Sequence, residues 1–270
     1  MMTQWKNTAL IILLSALTTS VYAQVEPQVI NVPLSRPGEP VTVNIEILSA
    51  HIEVIGEARD DAQFEVSVIE GTRKIITPSG TKNLNVGAYS VEIEERDNRI
   101  SLDTDWRANS VRVIARVPQR ADLELETVNN GTIRVENITG NLSLSNVNGP
   151  ITAIGISGSV MAESVNDDIE VIFNRVEGEG VMSFFSVNGD ITLGLPDGTG
   201  AELHIDNAEG EITSDFEVDV VPSQPVVTRE DNRGGVEVKV ESVIIAKVAG
   251  GGTVFKLKTL NGDIRIRKSN

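Results

Sequence analysis

From Leu123 onward, aliphatic and polar residues alternate in short runs that return at a nearly fixed interval. The marker is a four-residue window closing on isoleucine: Asn130-Gly131-Thr132-Ile133, Asn148-Gly149-Pro150-Ile151, Asn166-Asp167-Asp168-Ile169, Asn188-Gly189-Asp190-Ile191 and Glu209-Gly210-Glu211-Ile212. A sixth copy, Asn261-Gly262-Asp263-Ile264, stands near the C-terminus. The first five isoleucines are 18, 18, 22 and 21 residues apart, and the sixth follows after 52. Nine and seven residues before the isoleucine come Leu142/Leu144, Val160/Ala162, Met182/Phe184, Leu203/Ile205 and Phe255/Leu257; the first copy has one extra residue, so its pair is Leu123/Leu125. Two residues after it come Val135, Ala153, Val171, Leu193 and Ile266, and only Ser214 breaks the series.

Residues two apart share one face of a strand, so each copy reads as strand, turn, strand. A connection often closed by Gly140, Gly158, Gly180 or Gly200 follows. One such unit cannot bury its apolar face alone. Stacking like units at a period of this size turns the pairs into continuous aliphatic ladders, which predicts an all-β parallel solenoid of about 18–22 residues per coil. The turn residues Asn130, Gly131, Asn148, Gly149, Asn166, Asn188, Gly189, Gly210, Asn261 and Gly262 fit that reading. Glycine accepts positive φ, and asparagine tolerates it while bonding nearby backbone. At a strand spacing of about 4.8 Å, the amides of Asn130, Asn148, Asn166 and Asn188 are predicted to form a ladder. Asn-Gly between alternating runs is also a hairpin signal, so antiparallel hairpins are the competing arrangement. A constant phase over successive copies favours coils.

Before the repeats, residues 1–23 combine Lys6, an apolar run Ala9–Leu17 and Val21-Tyr22-Ala23, the pattern of a cleaved secretory signal peptide. The segment carries no lipobox cysteine. The remaining 24–270 are expected to form one solenoid domain, with regular coils at 123–214, an irregular insertion at 215–250 and a last coil at 251–267. Val41–Ile47, Ala50–Gly56 and Phe64–Val68 read as strands, with Ile52 as a degenerate anchor, in a region that begins the stack and caps its end. Gly71–Gly87 reads as a loop. Val91–Glu94, Arg99–Leu102 and Val111–Val117 alternate as strands up to Pro118. Pro222 and Pro225 break pairing, Val236–Val240 is a strand, and the 215–250 gap has room for one or two degenerate coils. No window after the leader holds a helical period. The basic ending Arg265-Ile266-Arg267-Lys268 would suit an outer coil, where charge discourages end-to-end pairing.

The run Ser186–Ile191, its echoes at Thr127–Ile133 and Asn146–Ile151, and the ending Gly251–Ile266 resemble the bacterial putative-adhesin domains of unknown function, which are similar to autotransporter-adhesin heads. Ile52-Glu53-Val54 with Gly56 and Asp60-Asp61 resembles the way such domains start. The resemblance spans most of the chain after the leader. It implies a right-handed parallel β-helix, exported to the periplasm or cell surface of a Gram-negative bacterium, and it brings no catalytic motif.

Composition narrows the partners. Without the leader and its Lys6, 22 basic residues face 39 acidic ones, a formal charge of −17. That argues against nucleic acid and anionic membranes and leaves an envelope protein or a neutral glycan. There is no cysteine, hence no disulfide and no thiolate chemistry. Nothing after the leader is long and apolar enough to span a membrane. Only His51 and His204 are present, without zinc-ligand spacing. Gly155-Ile156-Ser157-Gly158 is not a nucleophile elbow, and Gly250-Gly251-Gly252 is not a phosphate loop. No cofactor is expected.

One acidic set has chemistry to offer. Asp168, Asp190 and Glu211 precede the isoleucine in three successive copies, with Asp167 beside them. Stacked like charges repel unless a cation lies between them, and calcium takes several such oxygens. A solvated turn edge is the plainer reading of the same residues. Two carboxylates would also suit a solenoid-type polysaccharide lyase or glycosidase, but these acids recur with the repeat as structural turns do. The leading expectation is a non-enzymatic adhesion or interaction module; a partnerless envelope assembly factor has the same sequence signature.

Overall fold

The computed structural model describes residues 28–69, 91–104, 110–177, 180–222, 226–232, 235–241 and 243–269. The expected leader and the Gly71–Gly87 loop lie outside them. The alternating runs form β1 (Gln28–Pro33), β2 (Val41–Ile47), β3 (Ala50–Glu57), β4 (Asp61–Val68), β5 (Val91–Arg96), β6 (Arg99–Thr104), β7 (Val111–Pro118), β8 (Ala121–Thr127) and β9 (Thr132–Glu136). They continue as β10 (Leu142–Asn146), β11 (Ile151–Ser157), β12 (Val160–Ser164), β13 (Ile169–Arg175), β14 (Val181–Ser186), β15 (Ile191–Pro196), β16 (Ala201–Glu209) and β17 (Ile212–Ser214). The chain ends with β18 (Val218–Val221), β19 (Val226–Asn232), β20 (Gly235–Glu241), β21 (Ile244–Val248), β22 (Thr253–Asn261) and β23 (Ile264–Ser269). No helix occurs among the described residues, so none there could cross a membrane.

Two large, mostly parallel sheets result. One runs β1-β4-β7-β3-β9-β11-β13-β15-β23-β17, the other β18-β21-β16-β22-β14-β12-β10-β8-β2-β6-β5; β19 and β20 pair apart as a hairpin. Each repeat sends its first strand to the eleven-stranded sheet and its second to the ten-stranded one. The Asn-Gly turn therefore carries the chain between sheets. The hairpin arrangement does not occur there, since β10 pairs in parallel with both β8 and β12.

The phase read from sequence is the register of the sheets. Ile151 stands opposite Ile133 and Ile169, and Ile191 opposite Ile169 and Ile264. The paired positions stack likewise, Leu142 between Leu123 and Val160. All of these are buried and belong to one core. Each fully buried Leu, Ile or Phe side chain contributes about 1.5–3 kcal/mol relative to exposure. Phe173, Phe184 and Phe255 lie together in that core; Phe255 meets Phe173 edge-on at 6.0 Å and Phe184 stacked at 6.4 Å between centroids.

Chain order is not spatial order, and here the structure departs from expectation twice. First, the last coil is not outermost: β22 lies between β14 and β16, and β23 between β15 and β17. Its basic residues are placed by ion pairs rather than by a need to block an edge. Lys258 meets Asp206 at 2.6 Å, Arg265 meets Asp190 at 2.5 Å, and Lys268 meets Asp197 at 3.0 Å. The Ile52 coil is internal, with β3 between β7 and β9, while β1 and β4 of the same N-terminal region close that end together with β5. Second, the described residues of 215–250 add no further parallel strand to the two large sheets. There β18 and β21 pair antiparallel and extend the sheet past β16. The predicted strand Val236–Val240 does form, within β20. Ser214 marks the β16–β17 coil as terminal: with no outer neighbour on that sheet, Ile212 is 38% exposed and the position two further on can be polar.

Candidate functional site

The turn edge joins the two sheets and gathers most of the residues singled out above. Its first feature is a side-chain amide ladder. Asn166 Nδ2 donates to Asn148 Oδ1 at 2.8 Å, Asn188 Nδ2 to Asn166 Oδ1 at 3.1 Å, and Asn261 Nδ2 to Asn188 Oδ1 at 2.8 Å. Asn148 ends the run by donating to the Val128 carbonyl at 2.8 Å. Asn130 is not a member. It is the extra residue of the first copy, and of the turn asparagines only it takes positive φ, at 46°. Asn261 takes the fourth place because its coil is inserted beside that of Asn188.

The glycines serve close approach more than a left-handed turn. A Cβ on Gly131 would strike the carbonyl oxygen of Ala50; on Gly149, that of Gly131; on Gly189, that of Asp167; on Gly262, that of Gly189; and on Gly210, that of Gly262. Each coil's carbonyl thus lies in the space left by the next coil's missing side chain.

Beneath the turn runs a buried polar column absent from the sequence expectations: Thr127, Asn146, Ser164, Ser186 and Thr259. Thr259 Oγ1 donates to the Gly189 carbonyl at 2.9 Å, Ser186 Oγ to the Asp167 carbonyl at 3.2 Å, and Asn146 Nδ2 to the Gly131 carbonyl at 3.1 Å. These groups satisfy turn carbonyls that the sheets cannot reach. Ser164 Oγ is buried without a partner. The signal was available, since continuing the period-two count past each aliphatic pair lands on a small polar residue in every copy.

The acids form a ladder in a different order from the one expected. Asp190 N–H donates to Asp168 Oδ1 at 2.8 Å, Asp263 N–H to Asp190 Oδ1 at 2.8 Å, and Glu211 N–H to Asp263 Oδ1 at 2.9 Å. Asp263 thus separates Asp190 from Glu211. Arg265 donates to Asp190 Oδ2 at 2.5 Å and to Asp263 Oδ2 at 2.6 Å, standing where a cation between the two would. The Asp263 N–H and then Arg265 hold the Asp190 carboxyl below its usual range, and Asp190 in turn raises Arg265. A carboxylate held ionised by such donors is a poor proton donor at neutral pH. Asp167 lends its main-chain carbonyl to Ser186. Among the described residues, no three His, Asp or Glu side chains converge as a metal group.

Other marked residues are dispersed. His51 Nδ1 lies 3.0 Å from Thr132 Oγ1, and burial followed by the charge of Arg112 lowers its pKa. His204 Nε2 lies 2.7 Å from Glu202 Oε1; that contact is the main cause holding the glutamate below its usual range. Ser157 and Gly158 line an open groove at the opposite edge with Thr139, Gly140, Asn141, Ser159 and Glu177.

Beside the amide ladder runs an aliphatic column, Leu48, Val128, Val147, Val165, Val187 and Leu260, one residue per coil. Backbone bonds hold its spacing: Val128 N–H reaches the Leu48 carbonyl, Asn166 N–H that of Val147, and Asn188 N–H that of Val165. Leu48 is 56% exposed and Leu260 40%.

No family model matches the sequence, and no curated protein matches it. Two solved structures align along most of the chain. One is a putative cell adhesion protein from Clostridium sporogenes, 11% identical, covering 90% of this chain and 100% of that chain with a TM-score of 0.44. The other is a putative adhesin from Bacteroides fragilis, 10% identical, covering 91% of this chain and 98% of that chain with a TM-score of 0.38.

Proposed function

We propose that this chain is an exported, non-enzymatic β-solenoid of the bacterial cell envelope, periplasmic or surface-exposed in a Gram-negative cell. In this reading it acts as an adhesion or interaction module through its turn edge. The observation that carries the reading is the amide ladder Asn148-Asn166-Asn188-Asn261 running beside an aliphatic column whose Leu48, Val165 and Leu260 are exposed and whose other members are half-buried. Asn166 uses one N–H and one lone pair on its neighbours, leaving a donor and an acceptor for a ligand, while Asn188 Nδ2 also reaches the Val165 carbonyl at 3.4 Å. A row of neutral hydrogen-bonding groups beside aliphatic side chains suits the hydroxyls and C–H faces of a neutral glycan. The charge of −16 disfavours anionic ligands. Repeating units give such a surface length without new sequence.

The test is binding of the protein to an array of neutral glycans, with Asn166→Ala plus Asn188→Ala and Val165→Lys as variants. Specific binding that falls at least tenfold in both variants, with melting temperatures retained, supports the reading. Absence of glycan binding, or binding that ignores both variants, overturns it.

A further inference from the structure

The outer face of the eleven-stranded sheet carries charge in an ordered way that the turn edge does not explain. In register across β8, β10, β12, β14 and β22 stand Glu124, Ser143, Met161, Ser183 and Lys256. This row is symmetric in shape about Met161 and antisymmetric in charge. Serines flank the methionine on either side, and a glutamate and a lysine stand two strands away in opposite directions. Met161, at the centre of the row, is 52% exposed. Asp122, Glu124 and Glu126 at one end form no ion pair with a described residue, and at the other end neither does Lys256.

We infer that this face pairs with the same face of a second copy, about a two-fold axis that lies between the faces, parallel to β12, and passes close to Met161. A two-fold contact is self-complementary: what one copy presents on one side of the axis, the other presents on the opposite side. Rotation about Met161 brings Lys256 of each copy onto Glu124 of the other, places Ser183 against Ser143, and lets the methionines meet at the centre. The next row sets Lys258, already paired with Asp206, near Glu126 and brings the two Glu163 side chains together on the axis, which keeps the contact weak. Aligned face-to-face packing is a common way for two sheets to meet. Five strands about 4.8 Å apart and five residues about 3.3 Å long give a footprint of roughly 400 Å² on each copy. A stable interface buries about 800 Å² per partner, so this is a weak, concentration-dependent dimer whose charges fix its register.

Sedimentation of the full chain from about 10 μM to 1 mM tests this, with Lys256→Glu and Glu124→Lys as single variants at exposed positions. Wild type is expected to shift from monomer to dimer across that range. Each variant alone faces like charge at both contacts and should dimerise at least tenfold more weakly. Their equimolar mixture restores both pairs and should dimerise as wild type does. A wild type that stays monomeric throughout overturns the inference. So does a dimer that either variant leaves unchanged, or a mixture that fails to recover. Circular dichroism melts of both variants confirm that folding is intact, and Met161→Lys, which places two cations on the axis, should abolish association.

Discussion

At the scale of single residues, the turn edge is governed by what fits between adjacent coils. Gly189 is the clear case, because a Cβ there lands far inside contact distance of the Asp167 carbonyl, which is held by Ser186 and cannot swing away freely. Gly189→Ala should cost about 1–3 kcal/mol through forced backbone displacement, read as a lower urea midpoint at unchanged slope. The buried polar column gives a paired contrast. Ser186→Ala leaves the Asp167 carbonyl without its side-chain donor and should cost about 1–2 kcal/mol. Ser164→Ala removes a hydroxyl that is 1% exposed and unpartnered, and should be neutral or stabilising. Equal losses in the two serine variants would contradict this account.

At the scale of an element, a strand's neighbour decides the chemistry of its end. The β15–β23 junction holds Asp190 between Arg265 and the Asp263 N–H, and the folded-state pKa of Asp190 lies below its ordinary value as a result. In the unfolded chain an aspartate titrates near pH 4. The stability contributed by Asp190 is therefore complete above about pH 4 and is lost as the pH falls through the lower folded value. Asp190→Asn should be less stable at neutral pH and flatter in its acid profile than wild type, measured by denaturant unfolding between pH 2 and 7. Arg265→Met removes the bridging cation between Asp190 and Asp263 and should lower neutral-pH stability as well, with partial recovery in high salt as repulsion is screened.

At the scale of the molecule, the inserted last coil has the widest consequence. Its Phe255 and Leu257 are fully buried, and Ile264 and Ile266 nearly so, between coils that precede them in the chain. The sheets cannot close until these residues arrive. A chain ending at Val248 exposes the inner faces and the facing edges of β14, β15, β16 and β17, and should show no cooperative thermal transition. Phe255→Ala in the full chain keeps the coil but opens a cavity beside Phe173 and Phe184, and should cost about 3–5 kcal/mol in one transition. Two separable transitions would mean that the coils on either side of the insertion fold independently.

The sequence alone determined the strands of the repeat, their phase and which of their side chains face inward, but not β18, β19 or β21, where 228–235 reads as a charged loop and its described residues instead pair within a hairpin. The former depend on local alternation and on a repeat whose register is the same in one coil as in the next; Ile133, Ile151, Ile169 and Ile191 are legible in that way. It also determined the amide ladder in kind, because stacked asparagines at strand spacing can satisfy one another wherever they meet. What only the tertiary structure decided is which coil lies beside which. The Ile264 coil sits between those of Ile191 and Ile212, and the Ile52 coil between β7 and β9, because aliphatic ladders of near-equal shape accept any neighbour. The choice then falls to long-range matches that no local window contains: Lys258 with Asp206, Arg265 with Asp190, and Phe255 with Phe173. The acid ladder was misordered for the same reason, since Asp263 is 52 residues from Glu211 in the chain and one hydrogen bond away in the fold.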